Sequence, residues 1–96
     1  MTVYVIALLD ITDREEYGLY GQGFMAIFDK SGGSVLAVDE NPTVVEGEWP
    51  HTRTVLLSFP DAEAMNRWYG SAAYQALAQH RFKASTAQIA MINGLT

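Results

Sequence analysis

Val3-Tyr-Val-Ile-Ala-Leu-Leu9 is apolar at successive positions and stops at Asp10. A run of that length, rich in β-branched residues and without polar alternation, predicts a strand covered on both faces. Thr12 and Asp13 are each followed three residues later by Glu15 and Glu16, two overlapping capping boxes that predict a helix start. Tyr17, Tyr20, Phe24, Ile27 and Phe28 then recur close to the 3.6-residue period, and Gly32-Gly33 supplies a residue able to turn left-handed after the last turn. The helix is therefore expected from about residue 13 to residue 31. Gly18, Gly21 and Gly23 lie inside it, each costing about 1 kcal/mol relative to alanine, so its first half should be soft or closely packed.

Ser34-Val-Leu-Ala-Val38 reads as a second strand, and Asp39-Glu-Asn-Pro42 carries turn chemistry before the β-branched Thr43-Val-Val-Glu46. That second piece is expected as the return of a hairpin or as a kinked continuation. Gly47-Glu-Trp-Pro-His-Thr52 is loop-like, and Arg53-Thr-Val-Leu-Leu-Ser-Phe59 resumes strand character. Asp61 after Pro60 is an N-cap, with Glu63 in the first turn where negative charge suits the helix dipole. Gly70 stops this helix and Ser71 caps the next, whose Tyr74, Leu77, Ala78 and Arg81 fall on one side at i, i+3, i+4 and i+7. Gln88-Ile-Ala-Met-Ile-Asn93 closes the chain as a strand.

Strand, helix, strand, strand, helix, strand is the split βαβ order of an α+β domain. Two helical layers' worth of apolar stripe cover one face of a four-stranded antiparallel sheet. The other face would then lie open. Tyr4, Ile6 and Leu8 are as apolar as Val5, Ala7 and Leu9, whereas a solvated face alternates with polar residues. A second copy of the chain is the simplest cover, which predicts a sheet-to-sheet homodimer.

Composition narrows this picture. The 96 residues allow one domain spanning 1–96, and a chain of this size buries only roughly 65% of its unfolded surface. Hydrophobic residues make up 49% and charged residues 18%, lean in charge for a domain that must cover its surface alone. The 11 acidic against 6 basic residues give a net charge of -5, which repels phosphate backbones and anionic lipid, so neither nucleic acid nor membrane is expected as a partner. No apolar stretch is long enough to span a bilayer and no leader pattern opens the chain, so a cytoplasmic protein is expected. Cysteine is absent, which removes disulfides, thiolate metal sites and a thiol nucleophile.

Glu46-Gly-Glu-Trp-Pro50, the Phe59-Pro60 step and Trp68-Tyr-Gly-Ser-Ala-Ala-Tyr74 followed by Arg81 resemble the DUF1330 family, a domain of unknown function. The resemblance covers nearly the whole chain, and its most specific part is the Trp-Tyr-x-Ser-x-x-Tyr step. It implies a ferredoxin-like subunit, a homodimer of the dimeric α/β-barrel kind, and no established activity. The three glycines of the first helix depart from the family's pattern. Haem-degrading members of the wider superfamily pair a helical histidine with an asparagine on the first strand. Here that strand offers only apolar residues and Tyr4, so haem is not expected.

The residues best suited to hold a small molecule gather in residues 61–81. Trp68 and Tyr69 either stack on a flat ligand or cover a core edge, and since adjacent helical positions point about 100° apart, Trp68 is the expected wall. Tyr74 shares a face with Arg81, where a polar cluster would form. Arg81 either pairs with Glu46 or clamps a ligand carboxylate through its planar fork. Glu46 is that partner or a general base. His80 is a surface or capping residue or a second candidate base, and His51 after Pro50 is expected in solvent. Trp49 completes the candidate set from the loop.

Gly21-Gln-Gly-Phe-Met-Ala26 fits the letters of a dinucleotide fingerprint but falls inside a helical pattern, where its amides are spent. The serines lack a nearby base and orienter, and two histidines alone do not make a metal site. No metal or cofactor is expected. The residues lead to two expectations. One is a dimeric binder of an aromatic or carboxylate-bearing molecule, or a cofactor-independent enzyme acting on one, with Glu46 or His80 as catalytic base and Trp49, Trp68, Tyr74 and Arg81 around the ligand. The other is a non-catalytic dimerisation or scaffold module whose polar cluster is buried.

Overall fold

The first apolar run becomes strand β1 (Val3–Ile11) in a computed structural model that describes residues 1–96. Helix α1 (Arg14–Phe28) follows, then β2 (Ser34–Asp39), β3 (Arg53–Phe59), α2 (Ala62–Tyr69), α3 (Ala72–Ala84) and β4 (Ser85–Asn93). The sheet order is β2-β3-β1-β4, and every neighbouring pair is antiparallel. This is the split βαβ arrangement read from the sequence, with all three helices against one sheet face.

Local capping chemistry sets the helix starts. Asp13 accepts from the Glu16 amide at 3.1 Å, Asp61 from Ala64 at 2.8 Å and Ser71 from Tyr74 at 3.1 Å. Each bond satisfies one of the donors a first turn leaves free. The second capping box does not form: the Thr12 hydroxyl donates to the Ala84 carbonyl at 3.1 Å, beside backbone bonds from Thr12 and Asp13 to that same oxygen. The end of β1 is thereby tied to the end of α3.

Two boundaries differ from the sequence reading. Helix α1 ends at Phe28, three residues early, because its apolar stripe ends there and the Ser31 hydroxyl takes the Phe28 carbonyl at 2.6 Å. Gly32, at φ +82°, makes the left-handed turn, and Gly33 lies so close beneath Phe28 and Phe59 that a Cβ would come within 2.8 Å and 2.7 Å of their rings. Residues 43–46 form no strand. They belong to the connection 40–52, where Val45 is 96% exposed with no neighbouring strand to pair its backbone, and Pro42 and Gly47 bound the segment. Glu40 holds this loop down, accepting from Arg14 at 2.8 Å and from Arg53 at 3.1 Å. Those hydrogen bonds hold its carboxyl below the usual carboxylate range.

The core lies between helices and sheet. Val3, Val5 and Leu9 of β1 and Leu57 and Phe59 of β3 meet Tyr20, Phe28, Met65, Trp68, Tyr74 and Ala78 from above. The opposite face carries Tyr4, Ile6, Leu8, Leu56 and Ile92, none of them buried. The molecule is only 16 Å thick against 32 and 30 Å in the other directions, which corresponds to two layers with nothing beyond the sheet. β2 is an edge strand whose pairing slips between Val35 and Ala37, leaving Leu36 as the extra residue of a bulge. β4, the other edge, pairs with β1 at every position from Ser85 to Asn93. No helix is long and apolar enough to cross a membrane.

Candidate functional site

Between α1, the last turn of α2, α3 and the sheet lies a cavity of about 230 Å³. One water needs only about 10–15 Å³ on this measure, so the space is of ligand size. Most of its wall is apolar, including Val5, Ala7, Val55, Leu57, Phe24 and Met65. Gly21 belongs to the wall as well, and a Cβ there would enter open space. Gly23 is the opposite case, with Leu77 of α3 2.7 Å from the position its Cβ would take. The glycines of α1 therefore split: one lets two helices touch, and another leaves room in the cavity.

A polar cluster runs along the wall. Arg53 lies 5.6 Å from the centre of the Tyr17 ring, Tyr17 and Tyr20 are 5.4 Å apart, and the Tyr20 and Tyr74 hydroxyls share a buried hydrogen bond of 2.7 Å. Trp68 lies against Tyr74 at 4.2 Å between ring centres. Arg81 closes the group, 5.9 Å from the Tyr20 ring and 4.9 Å from the Phe82 ring. Burial pushes the Tyr20 and Tyr17 phenols up from their ordinary range; the neighbouring Tyr74 adds to this for Tyr20, and Arg53 works against it for Tyr17. Both stay protonated.

Arg81 is 5% exposed and takes part in no ion pair. Burial disfavours its charge, but attraction to the negative charge that Tyr74 and Tyr20 carry when ionised works the other way, and the guanidinium's pKa is raised. Three buried N–H groups have no partner: Arg53 Nε, Trp68 Nε1 and Arg81 Nε. All three belong to residues that wall the cavity. Unpaired buried donors are rare because each costs about 1–3 kcal/mol.

Of the residues singled out from the sequence, Trp68, Tyr74 and Arg81 come together around this cavity, while Glu46, Trp49 and His80 are not part of its wall. Trp68 and Tyr69 both line it, although only one was expected to. The Glu46–Arg81 pair does not form: Glu46 is exposed in the loop. His80 Nδ1 is hydrogen-bonded to Glu16 across α3 and α1, which explains why Glu16 does not complete its capping box. Trp49 donates to Thr54 Oγ1 at 2.8 Å and meets the His51 ring edge-on. His51 itself is not in open solvent, its side chain being 16% exposed and 3.4 Å from the Asp10 carboxylate.

Tyr17, Tyr20 and Arg53 are the cavity residues that sequence reasoning missed. Tyr17 and Tyr20 were absorbed into the apolar stripe of α1, and Arg53 into the start of a strand. A stripe with two tyrosines among its phenylalanines carries hydroxyls inward, and that was the available signal.

A family model described as Domain of unknown function (DUF1330) matches residues 2–95. No curated protein matches the chain in sequence. Among solved structures, RPA0582 of Rhodopseudomonas palustris, a protein of unknown function, superposes with a TM-score of 0.80 at 16% identity, covering 99% of this chain and 83% of that one. A dimeric ferredoxin-like protein of unknown function from Jannaschia sp. CCS1 gives 0.70 at 12% identity, over 98% of this chain and 100% of its own. SnoaB of Streptomyces nogalater, a cofactor-independent oxygenase, gives 0.69 at 12% identity, over 99% and 94%. At such identities these likenesses establish the ferredoxin-like fold and nothing about chemistry.

Proposed function

The chain belongs to the DUF1330 family, and on that premise we propose that it is a homodimeric binding protein for a small aromatic or carboxylate-bearing molecule held between helices and sheet. The observation that carries this reading is the cavity itself, ligand-sized, walled by apolar and aromatic groups, with Trp68, Tyr74 and Arg81 at its polar side. That combination of a mostly apolar wall and a few convergent polar groups is the usual make-up of a small-molecule site. Cofactor-independent turnover is the extension of this reading, supported by fold likeness to SnoaB. Glu46 and His80 stand outside the wall and receive no catalytic role here.

The apolar, uncovered sheet face supports the homodimer, as does the dimeric state of the Jannaschia protein. Sedimentation or light scattering at micromolar concentration is expected to give twice the 10.6 kDa chain mass. A monomer there would leave the apolar face unexplained.

Gly21→Leu tests the pocket. Its side chain would grow into the cavity, while exchange of glycine for a good helix former gains about 1 kcal/mol. The free protein is therefore expected to melt no lower than the wild type. Wild-type protein screened by thermal shift against aromatic carboxylates should be stabilised, by about 2.7 kcal/mol for a compound at a hundred times its dissociation constant. The variant should lose that response. Shifts that survive the substitution would move binding elsewhere.

The scaffold reading is favoured by one observation, the buried Tyr20–Tyr74 hydrogen bond, which joins α1 to α3 without any ligand. It expects no compound in such a screen to stabilise the wild type.

A further inference from the structure

The polar side of the cavity is rich in donors and poor in acceptors. No Asp, Glu, His, Asn or Gln side chain lines it. The ionisable groups around it are Tyr17 and Tyr20 from α1, Arg53 from β3, Tyr69 from α2, and Tyr74 and Arg81 from α3, while β1, β2 and β4 contribute only apolar residues. Tyr20 and Tyr74 spend their hydroxyls on one another. Of the two guanidiniums, Arg53 is balanced on its outer side by Glu40, whereas Arg81 has no carboxylate.

We propose that this cavity takes its ligand as an aromatic oxyanion, the ionised form of a weakly acidic aromatic alcohol, in preference to the neutral parent. The proposal rests on the pocket reading above and adds to it the charge state of the occupant. A phenolate oxygen accepts only, so it suits a wall that carries two guanidiniums and no carboxylate, and it supplies the charge Arg81 lacks. A neutral phenol brings one more proton to a wall that has few acceptors for it. The aromatic neighbours Phe24, Trp68 and Tyr69 give a flat ring faces and edges to pack on.

The linkage follows from that difference in affinity. A site that prefers the anion by about tenfold lowers the ionisation midpoint of its bound ligand by about one pH unit. 4-Nitrophenol makes this visible, because its phenolate absorbs in the visible and its neutral form does not. Nitrobenzene serves as the ring without the ionisable group.

With the protein in saturating excess, the bound 4-nitrophenol is expected to titrate about one unit or more below the free compound. Above that midpoint nitrobenzene should bind at least about tenfold more weakly. Arg81→Met should return the midpoint toward its free value. Circular dichroism checks that this variant is folded, and the wild-type titration decides the question without it. A bound midpoint at or above the free value overturns the proposal even if binding is tight, and it leaves the pocket standing. Failure of both probes to bind at millimolar concentration removes the pocket reading and this one with it.

Discussion

Arg81→Met is expected to make the protein more stable, by about 1–4 kcal/mol, while abolishing its response to anionic ligands. Arg81 is 5% exposed and has no ion pair, so folding strips water from a guanidinium and returns no carboxylate in exchange. The effective penalty for burying such a charge is several kcal/mol. Against it stand the tyrosine hydroxyls and two ring contacts. The Tyr20 contact, at 5.9 Å, lies at the limit of the useful range, and Phe82 at 4.9 Å is 47% exposed, so its share sits near the low end of about 0.5–2 kcal/mol. With the Tyr20 phenol protonated, no phenolate there offsets that penalty at neutral pH, so desolvation wins in that range, and methionine, flexible and of similar length, fills the space without charge.

For a domain of this size each kcal/mol shifts the melting temperature by about 4–8 °C. Differential scanning calorimetry of wild type and variant at one protein concentration reads the change. A rise in stability joined to a loss of binding is the signature of a residue kept for function at the expense of the fold. A fall of similar size would mean that Arg81 braces the tyrosine cluster, as the scaffold reading holds.

Trp68→Ala should act in the opposite direction, costing about 3–5 kcal/mol. The indole is 6% exposed and lies within 4.2 to 6.2 Å, centre to centre, of Phe24, Phe28, Phe59, Tyr69 and Tyr74. It meets rings from α1, β3 and the start of α3 together, so its removal opens a void that no single neighbour can collapse into. Native stability in small domains is about 5–15 kcal/mol, and a loss of this size brings the variant near the edge of folding. Urea unfolding is expected to move to a much lower midpoint with little change in slope. A loss under 1 kcal/mol would mean that the rings close around the gap and that Trp68 is a wall of the cavity more than a post of the core.

Trp68 thus combines two readings that looked exclusive in the sequence. The residue packs in the core and also lines the cavity. The sequence made its helix legible because caps and breakers act within a few residues: Asp13, Asp61, Ser71 and Gly32 each do locally what their side chains dictate. The strand β1 was legible for the same reason, as one uninterrupted run. Thr43-Val-Val-Glu46 misled because β-branched residues report a fit to a pleated surface, and no such surface lies beside Val45.

The site was half legible. Trp68, Tyr74 and Arg81 sit close in sequence on adjoining helices, and their grouping needed only the helical period. Tyr20 is 54 residues from Tyr74, and the hydrogen bond between them depends on how α1 crosses α3. At that crossing Gly23 leaves no room for a Cβ beside Leu77, a contact that only the folded chain brings about. Arg53 entered the cavity wall through strand register, and Glu40, one residue beyond β2, was too far from it in sequence to be paired by any local rule.

The slipped pairing at Leu36 has a consequence for how copies of this protein can accumulate. An exposed strand margin is a template for backbone pairing with another molecule, and a bulge there throws the unpaired groups out of line. The β2 margin is spoiled in this way after only two pairs, whereas the β4 margin runs regular for nine residues. A filament built by sheet extension needs two usable margins on every molecule, one to receive and one to offer. With a single good margin, two molecules can join back to back through β4 and growth then stops, so crowding or partial unfolding leads to closed pairs and not to fibres.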